Sequence, residues 1–334
     1  MSINVSILGA TGIVGQKVIA LLSQEPNFHI TELIASPKHT GQLFGNVCDW
    51  REPIMDLPSD IANIRLVDPY NLQASYNISC LPTEPAQLIE PILAKQGKIV
   101  FSNAPSFRMQ HNVPLIIPEI NKDHLSLLAN QTTSGKLITN PNCAATGATL
   151  ALGPLTNQKE IIHVSIVTLQ SISGAGYPGI SSIDITGNTI PYIQGEAKKI
   201  TEEVKKILGT ATKPATFPIT THVHRVPVMY GHVATLHITF KDNITPEEAI
   251  QSYQDWNQKH PNLFVLHKQN DRPQSIRDLH HDDMRIHIGS LCQGGQLNIL
   301  GLTTLSHNLV RGAAGAVIAN IKNYLNVERK SYDS

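Results

Sequence analysis

The sequence predicts an α/β protein of two domains: a doubly wound parallel sheet, then an α+β domain whose sheet is mixed or antiparallel. Three features predict it. A glycine-bearing turn joins an apolar run to a helical segment near the N-terminus. Short apolar runs then alternate with helical stretches as far as about residue 140. Beyond that point the strands lengthen, alternate in polarity and lose their regular helical crossovers.

The bulk numbers agree with this outline and narrow the function classes. A chain of 334 residues suggests about two domains with full apolar cores. Lys plus Arg (26) balances Asp plus Glu (26), which leaves no electrostatic footprint for nucleic acid or an anionic membrane. The four cysteines, Cys48, Cys80, Cys143 and Cys292, are widely spaced with no CxxC pair. That pattern argues against a zinc site or a disulfide framework and fits a reducing cytoplasm. No apolar run reaches the ~18 residues of a membrane span, and no basic leader precedes an apolar core, so a soluble cytoplasmic protein is expected.

In chain order, residues 3–8 form an apolar run and residues 9–15 read Gly-Ala-Thr-Gly-Ile-Val-Gly, opening a helix that extends to about residue 24. Strand, glycine turn and helix together make a dinucleotide site of Rossmann type credible, because the glycines let a pyrophosphate approach the helix N-terminus. Gly9, Thr11, Gly12, Ile13, Val14 and Gly15 are the candidate cofactor contacts. The spacing, GxxGxxG, is a weaker signal than GxGxxG. After the second strand (29–35), where an NAD site carries an acid, the chain reads Ser36-Pro37-Lys38. A hydroxyl and a cation suit a 2′-phosphate, so NADP is expected over NAD. Glu32 lies within the strand itself, away from that position.

Further strands are expected at 65–67, 78–81 and 98–101, with a helix at 85–96. The loop after residue 101 holds Arg108, either a phosphate ligand or an ordinary solvated arginine. In the second domain, 161–170, 233–240, 285–291 and 296–304 alternate as half-buried strands. Residues 195–208 read as an amphipathic helix, and 311–325 as a closing helix. Glu196 and Lys199 share one helix face, where a surface ion pair is the ordinary reading. The run His280-His281-Asp282-Asp283 has no second ligand group spaced to complete a metal site, so it reads as a solvated loop; no metal is expected.

The stretch 140–147, Asn-Pro-Asn-Cys-Ala-Ala-Thr-Gly, organises the rest. A turn-forming Asn-Pro-Asn leads into small helix-compatible residues and places Cys143 at a helix entry. There, unpaired N–H groups and the helix dipole favour a thiolate. The alternative is a small buried hydrophobe, the usual fate of a free cysteine.

With these segments in hand, the chain resembles the aspartate-β-semialdehyde dehydrogenases, especially their archaeal and fungal branch. The resemblance is carried by 9–15, Pro118-Glu119-Ile120-Asn121, Pro141-Asn142-Cys143, 170–179, 225–232, Arg272-Pro273-Gln274 and Arg311-Gly312-Ala313-Ala314-Gly315. It implies Cys143 as nucleophile, Gln170 orienting the carbonyl and His232 as acid/base. It also implies Arg225 on the substrate α-carboxylate, Glu196 on the α-amino group, and Lys199 and Arg108 on phosphate. Ser173, Gly174 and Asn308 join the cofactor contacts. The implied domains are 1–142 with 308–334 for NADP, and 143–307 for catalysis and dimerisation, in a homodimer or homotetramer.

The implied reaction is NADPH-dependent reductive dephosphorylation of L-4-aspartyl phosphate through a cysteine thioester, with inorganic phosphate as co-substrate in reverse. It belongs to the biosynthesis of lysine (through diaminopimelate), threonine and methionine. Two departures from the family stand out: Ala144 and Ala145 stand where a hydroxyl is usual, and Lys38-His39 replaces an Arg-Ser pair. The rival readings are a malonyl-CoA reductase, which has no use for Glu196, and a non-catalytic redox sensor, which has none for Cys143, Gln170, Arg225 and His232 together.

Overall fold

In the computed structural model, which describes residues 2–53 and 55–332, the chain divides into two units. Unit 1 comprises 1–118, 122–141 and 313–334; unit 2 comprises 119–121 and 142–312.

Unit 1 is a five-stranded, wholly parallel sheet in the order β2-β1-β3-β4-β5. Its strands are β1 (Ile3–Leu8), β2 (Phe28–Ile34), β3 (Tyr76–Ser79), β4 (Ile99–Ser102) and β5 (Lys136–Thr139). Helix α1 (Ile13–Leu22) and helix α2 (Thr83–Lys95) make crossovers, and a closing helix spans Gly315–Tyr332. Buried on both faces, the strands carry apolar runs: Val5, Ile7, Ile78 and Phe101 pack with Val18 and Ile19 of α1 and with Val317 and Ile321 of the closing helix.

The strand expected at 65–67 is reduced to bridges. Leu66 pairs in parallel with Leu33 outside β2, and Arg65 pairs antiparallel with Leu43. The Leu66 N–H and C=O are taken by Gln42 and Gly41, so its pairing with β2 is limited to a bridge at Leu33. Its position is still that of the third strand in the 3-2-1-4-5-6 order of dinucleotide-binding sheets. The strand β5 has no counterpart among the sequence-based expectations.

Unit 2 holds a six-stranded mixed sheet in the order β7-β6-β8-β11-β10-β9. Its strands are β6 (Ile161–Gln170), β7 (Ile219–Arg225), β8 (His232–Phe240), β9 (Phe264–Leu266), β10 (Ile286–Gln293) and β11 (Ile299–Ser306). The core face is legible in the register. Ile166, Leu236 and Leu302 stand in one cross-strand row, and Val164, Ile238 and Leu300 in the next, all buried. Helices α3 (Cys143–Thr156), α4 (Glu196–Leu208) and α5 (Pro246–Lys259) pack on the sheet. Helix α5 starts with a capping box in which Thr245 and Glu248 satisfy each other's backbone N–H.

The 280–283 run is the solvated loop expected of it at His280, His281 and Asp282, which are exposed, and departs from it at Asp283. Asp283 is buried, accepting a forked pair from Arg285 and lying 3.0 Å from His287 Nε2. Among the described residues no group of His, Cys, Asp and Glu is arranged to hold a metal ion. No described helix is long and apolar enough to cross a membrane.

Candidate active site

Cys143 is the first residue of α3, and Asn142 is its N-cap. The Asn142 side chain does two jobs. Its Oδ1 accepts from Ala144 N (2.9 Å) and Ala145 N (3.1 Å), while its Nδ2 donates to Glu196 Oε1 at 2.8 Å. Its backbone N–H donates to Glu203 Oε2 at 2.5 Å. Both carboxylates are buried and sit two turns apart on α4. The residue before Cys143 is thus fixed on three sides. Ala144 and Ala145, the departures noted above, serve through their backbone amides and are buried. On the other side Gly312 is required: a Cβ there would lie 2.5 Å from the Cys143 Cβ.

His232 opens β8 and is buried, with its Nε2 at 3.1 Å from Cys143 Sγ. At the other end of the ring, Nδ1 lies 3.1 Å from the backbone N of Ser171, an obligate donor. Nδ1 therefore accepts, and the proton of the neutral ring sits on Nε2, facing the sulfur. Burial, the Arg225 charge and His307 push the His232 pKa down to about 3. The ring is neutral at rest.

Arg225 ends β7 and is the Cα partner of Gln170 at the end of β6, so their buried side chains stand side by side on the inner face. Arg225 Nη1 donates to Ser171 O at 2.6 Å, and its Nε has no acceptor among the described residues. Burial lowers the Arg225 pKa, while Cys143 and Glu196 act against that. Gln170 Nε2 donates to Thr168 Oγ1 at 3.3 Å. Gly174 keeps the space between these groups open, since a Cβ there would meet Arg225 Nη1 at 2.9 Å and the His232 ring at 3.0 Å.

Glu196 differs from the surface pair that helix spacing alone suggests. It is 8% exposed and bound to Asn142, with the half-buried Lys199 placing its Nζ 3.8 Å from the other oxygen. Ser173 and Asn308 are joined, Asn308 Nδ2 donating to Ser173 Oγ at 2.9 Å. Arg108 lies in unit 1, buried, donating to Asn103 O at 2.6 Å; the solvated alternative does not describe it.

In unit 1, the turn before α1 fits a dinucleotide diphosphate. Gly9 has φ +76°, and a Cβ there would lie 2.6 Å from Cys80 O; at Gly15 it would lie 2.3 Å from Gly9 O. Gly12 caps α1 with no side chain to occupy the first amides. Ser36 and Lys38 are solvent-exposed just past the carboxyl end of β2, free to meet a 2′-phosphate. Glu32 is turned to structure: its two oxygens accept from Gln73 N and Ala74 N.

The sequence reading overlooked Glu203, Ser171 and Gly312. Glu203 had a signal, a carboxylate inside the stripe of Ile200, Val204 and Ile207. It also left unexplained the pairing of two motifs: buried Arg311 forks onto Glu119, at 2.9 and 2.8 Å. These are structural partners within unit 2.

A dinucleotide-type parallel sheet, with a second domain presenting a cysteine and a neutral histidine, defines a two-domain dehydrogenase class. Residues 4–128 match the NAD binding domain of semialdehyde dehydrogenases, and residues 152–311 match the semialdehyde dehydrogenase dimerisation domain. The chain belongs to the semialdehyde dehydrogenase family, on its aspartate-semialdehyde dehydrogenase branch. The Archaeoglobus fulgidus aspartate-semialdehyde dehydrogenase is 37% identical over 96% of this chain and 97% of its own. The Metallosphaera sedula malonyl CoA reductase (NADP) is more distant, 31% identical over 94% of each. The Candida albicans aspartate semialdehyde dehydrogenase, solved with NADP, superposes with a TM-score of 0.88 at 29% identity, covering 98% of this chain and 99% of its own.

Proposed function

We infer that this chain reduces L-4-aspartyl phosphate to L-aspartate 4-semialdehyde with NADPH and releases inorganic phosphate, in the biosynthesis of lysine, threonine and methionine. The observation that carries this reading is the 3.1 Å contact between Cys143 and neutral His232 beside buried Arg225, whose Nε awaits an acceptor. A substrate α-carboxylate supplies that acceptor, matching the planar guanidinium. Glu196 holds the α-ammonium, and Lys199 attracts the phosphate. Gln170, beside Arg225, donates to the carbonyl oxygen.

The Cys143 thiolate attacks the acyl phosphate carbon; the tetrahedral oxyanion collapses, the C–O bond to phosphate breaks and a thioester remains. The glycine turn with Ser36 and Lys38 would hold NADPH, which when bound would supply the hydride for reduction of the thioester. His232 then delivers a proton as the C–S bond breaks and the aldehyde leaves. A malonyl-CoA substrate has no ammonium group to occupy Glu196, and the higher identity to aspartate-semialdehyde dehydrogenases points the same way.

The proposed domain roles follow: residues 1–142 with 308–334 bind NADP, and 143–307 carry catalysis and dimerisation. The sheet face of unit 2 away from its helices bears Leu169 (40% exposed), and Ile183 (90%) and Tyr192 (65%) are also exposed. Such apolar exposure supports burial against a second copy, as a homodimer or a homotetramer of dimers. The setting proposed is the cytoplasm. The test of function is NADP reduction by aspartate semialdehyde with and without inorganic phosphate. Phosphate-dependent reduction, at least ~10-fold faster with NADP than with NAD, supports the reading; turnover that needs coenzyme A and ignores phosphate defeats it.

A further inference from the structure

The glycine turn attracts an anion through its amides, but the same turn carries carbonyls, and a carbonyl oxygen facing a diphosphate repels it. Three amides of the turn are committed within the fold. Gly9 N and Ala10 N both donate to Ile34 O at 2.9 Å, and Gly12 N donates to Gly9 O at 3.0 Å. The first bond of α1 runs from Gln16 N to Gly12 O, at 2.9 Å. The amides of Ile13, Val14 and Gly15 precede it and so have no partner inside the helix. The Thr11 carbonyl lies in the same turn, and the plane of the shared peptide directs it away from the Gly12 N–H.

Gln16 holds that carbonyl. Its side chain is 3% exposed, whereas Thr11 and Gly12 are open to solvent, so it lies behind the turn and not on its ligand face. Nε2 donates to Thr11 O at 2.9 Å and to Asp49 O at 3.1 Å, while Oε1 accepts from Arg51 N at 2.7 Å. These partners determine which way the amide points. A backbone N–H only donates and a backbone carbonyl only accepts, so exchanging Oε1 and Nε2 would break all three contacts. The next residue, Lys17, pairs with Glu52 Oε1 at 2.5 Å, and both side chains are buried. Consecutive residues of α1 thus fasten the segment 49–52 to the helix, and Gln16 also reaches into the turn. An apolar side chain would fill the same space, and a buried amide is costly unless its polar atoms are paired. Here the pairing includes the turn itself.

We propose that Gln16 is a positioning residue for the dinucleotide site: its Nε2 keeps the Thr11 carbonyl turned away from the diphosphate, and its bonds to residues 49 and 51 lock the side chain in that pose. This deepens the cofactor reading above and rests on it. With an apolar residue of similar size at position 16, the Thr11 carbonyl loses its donor. The peptide between Thr11 and Gly12 is then free to rotate and bring an oxygen lone pair toward the anion.

The experiment measures NADPH affinity by fluorescence titration in wild type, Gln16→Leu and Gln16→Glu. The double variant Lys17→Met with Glu52→Leu is the control, because it unfastens the same segment without touching Thr11. Gln16→Leu should raise Kd for NADPH about tenfold or more, with kcat at saturating NADP and KM for aspartate semialdehyde within about twofold. Gln16→Glu keeps the acceptor for Arg51 N but sets an oxygen against Thr11 O, so it should weaken NADPH at least as much. The control should bind NADPH within about twofold of wild type, whatever it loses in melting temperature. Wild-type affinity in Gln16→Leu overturns the proposal. So does an equal loss in the control, which would trace the effect to a general loosening of unit 1. Wild type alone supplies a second test. By 15N NMR, the side-chain amide protons of Gln16 should exchange with water at least ~10-fold more slowly than those of the exposed Gln24, with and without NADP. Exchange as fast as at Gln24 overturns the proposal even if the Leu variant fails to fold. A wild type that binds no dinucleotide defeats the cofactor reading and the proposal with it, whereas normal wild-type binding with an unchanged Leu variant defeats the proposal alone.

Discussion

The Glu203 carboxylate accepts the backbone N–H of Asn142 at 2.5 Å, so a side chain 61 positions away fixes the backbone next to Cys143. The same helix supplies Glu196 to the Asn142 side chain. Helix α4 therefore grips the entry of α3 at both the main chain and the cap. The group proposed to bind the substrate's ammonium is connected, through one asparagine, to the proposed nucleophile.

Glu203→Ala removes the acceptor and leaves a buried N–H behind, a loss of about 1–3 kcal/mol. Thermal unfolding should shift down accordingly, and alkylation of Cys143 should slow as the helix entry loosens. Glu203→Gln retains a carbonyl acceptor and should recover most of both. An unchanged melting temperature and alkylation rate in Glu203→Ala would show that this contact is idle.

Cys143→Ala should abolish turnover while leaving NADPH affinity within about twofold, because the glycine turn and Ser36–Lys38 belong to unit 1. Replacement of the exposed Cys292 by Ser should be silent. If Cys292 proves essential and Cys143 dispensable, the assignment of the nucleophile is wrong.

The proposed substrate clamp is tested by Arg225→Lys and Glu196→Gln. Lysine keeps the charge and loses the fork, so KM for aspartate semialdehyde should rise and kcat should fall, by about tenfold or more in kcat/KM. Glu196→Gln should weaken the same substrate with little effect on phosphate, and Lys199→Ala should mainly raise KM for phosphate. Wild-type kinetics in both Arg225→Lys and Glu196→Gln would exclude an α-amino acid derivative as substrate.

The His232 pKa, held down to about 3 by burial and by Arg225, makes stability depend on pH. Below the ordinary histidine value of ~6.5 the unfolded chain takes up a proton that the native ring refuses, so stability falls with pH from about 6.5 toward 3. From this residue alone the loss between pH 7 and pH 5 is about 2 kcal/mol. Denaturant unfolding at the two pH values, in wild type and His232→Gln, isolates the contribution. A pH slope identical in the two proteins would refute it.

Local pattern and local chemistry were enough for much of this protein. The glycine turn before α1, the alternating strands β6 and β8, and the entry of α3 at Cys143 all depend on neighbours a few residues apart. Hydrophobic period and backbone preference express such dependence directly. Strands β5 and β9, of four and three residues, left no such trace. Nor did the fate of residues 65–67, where the Leu66 N–H and C=O are bound by Gln42 and Gly41. What only the tertiary structure decided is how side chains distant in sequence meet. Helix spacing makes Glu196 and Lys199 a surface pair, but the packing of α4 on α3 buries Glu196 against Asn142. Asp283, next to three residues that read as loop, is drawn inward by Arg285 and His287. The tautomer of His232 is set by the N–H of Ser171, 61 positions earlier. A sequence states which groups are present; burial and hydrogen-bond partners set their charge and direction, and both are properties of the packed chain.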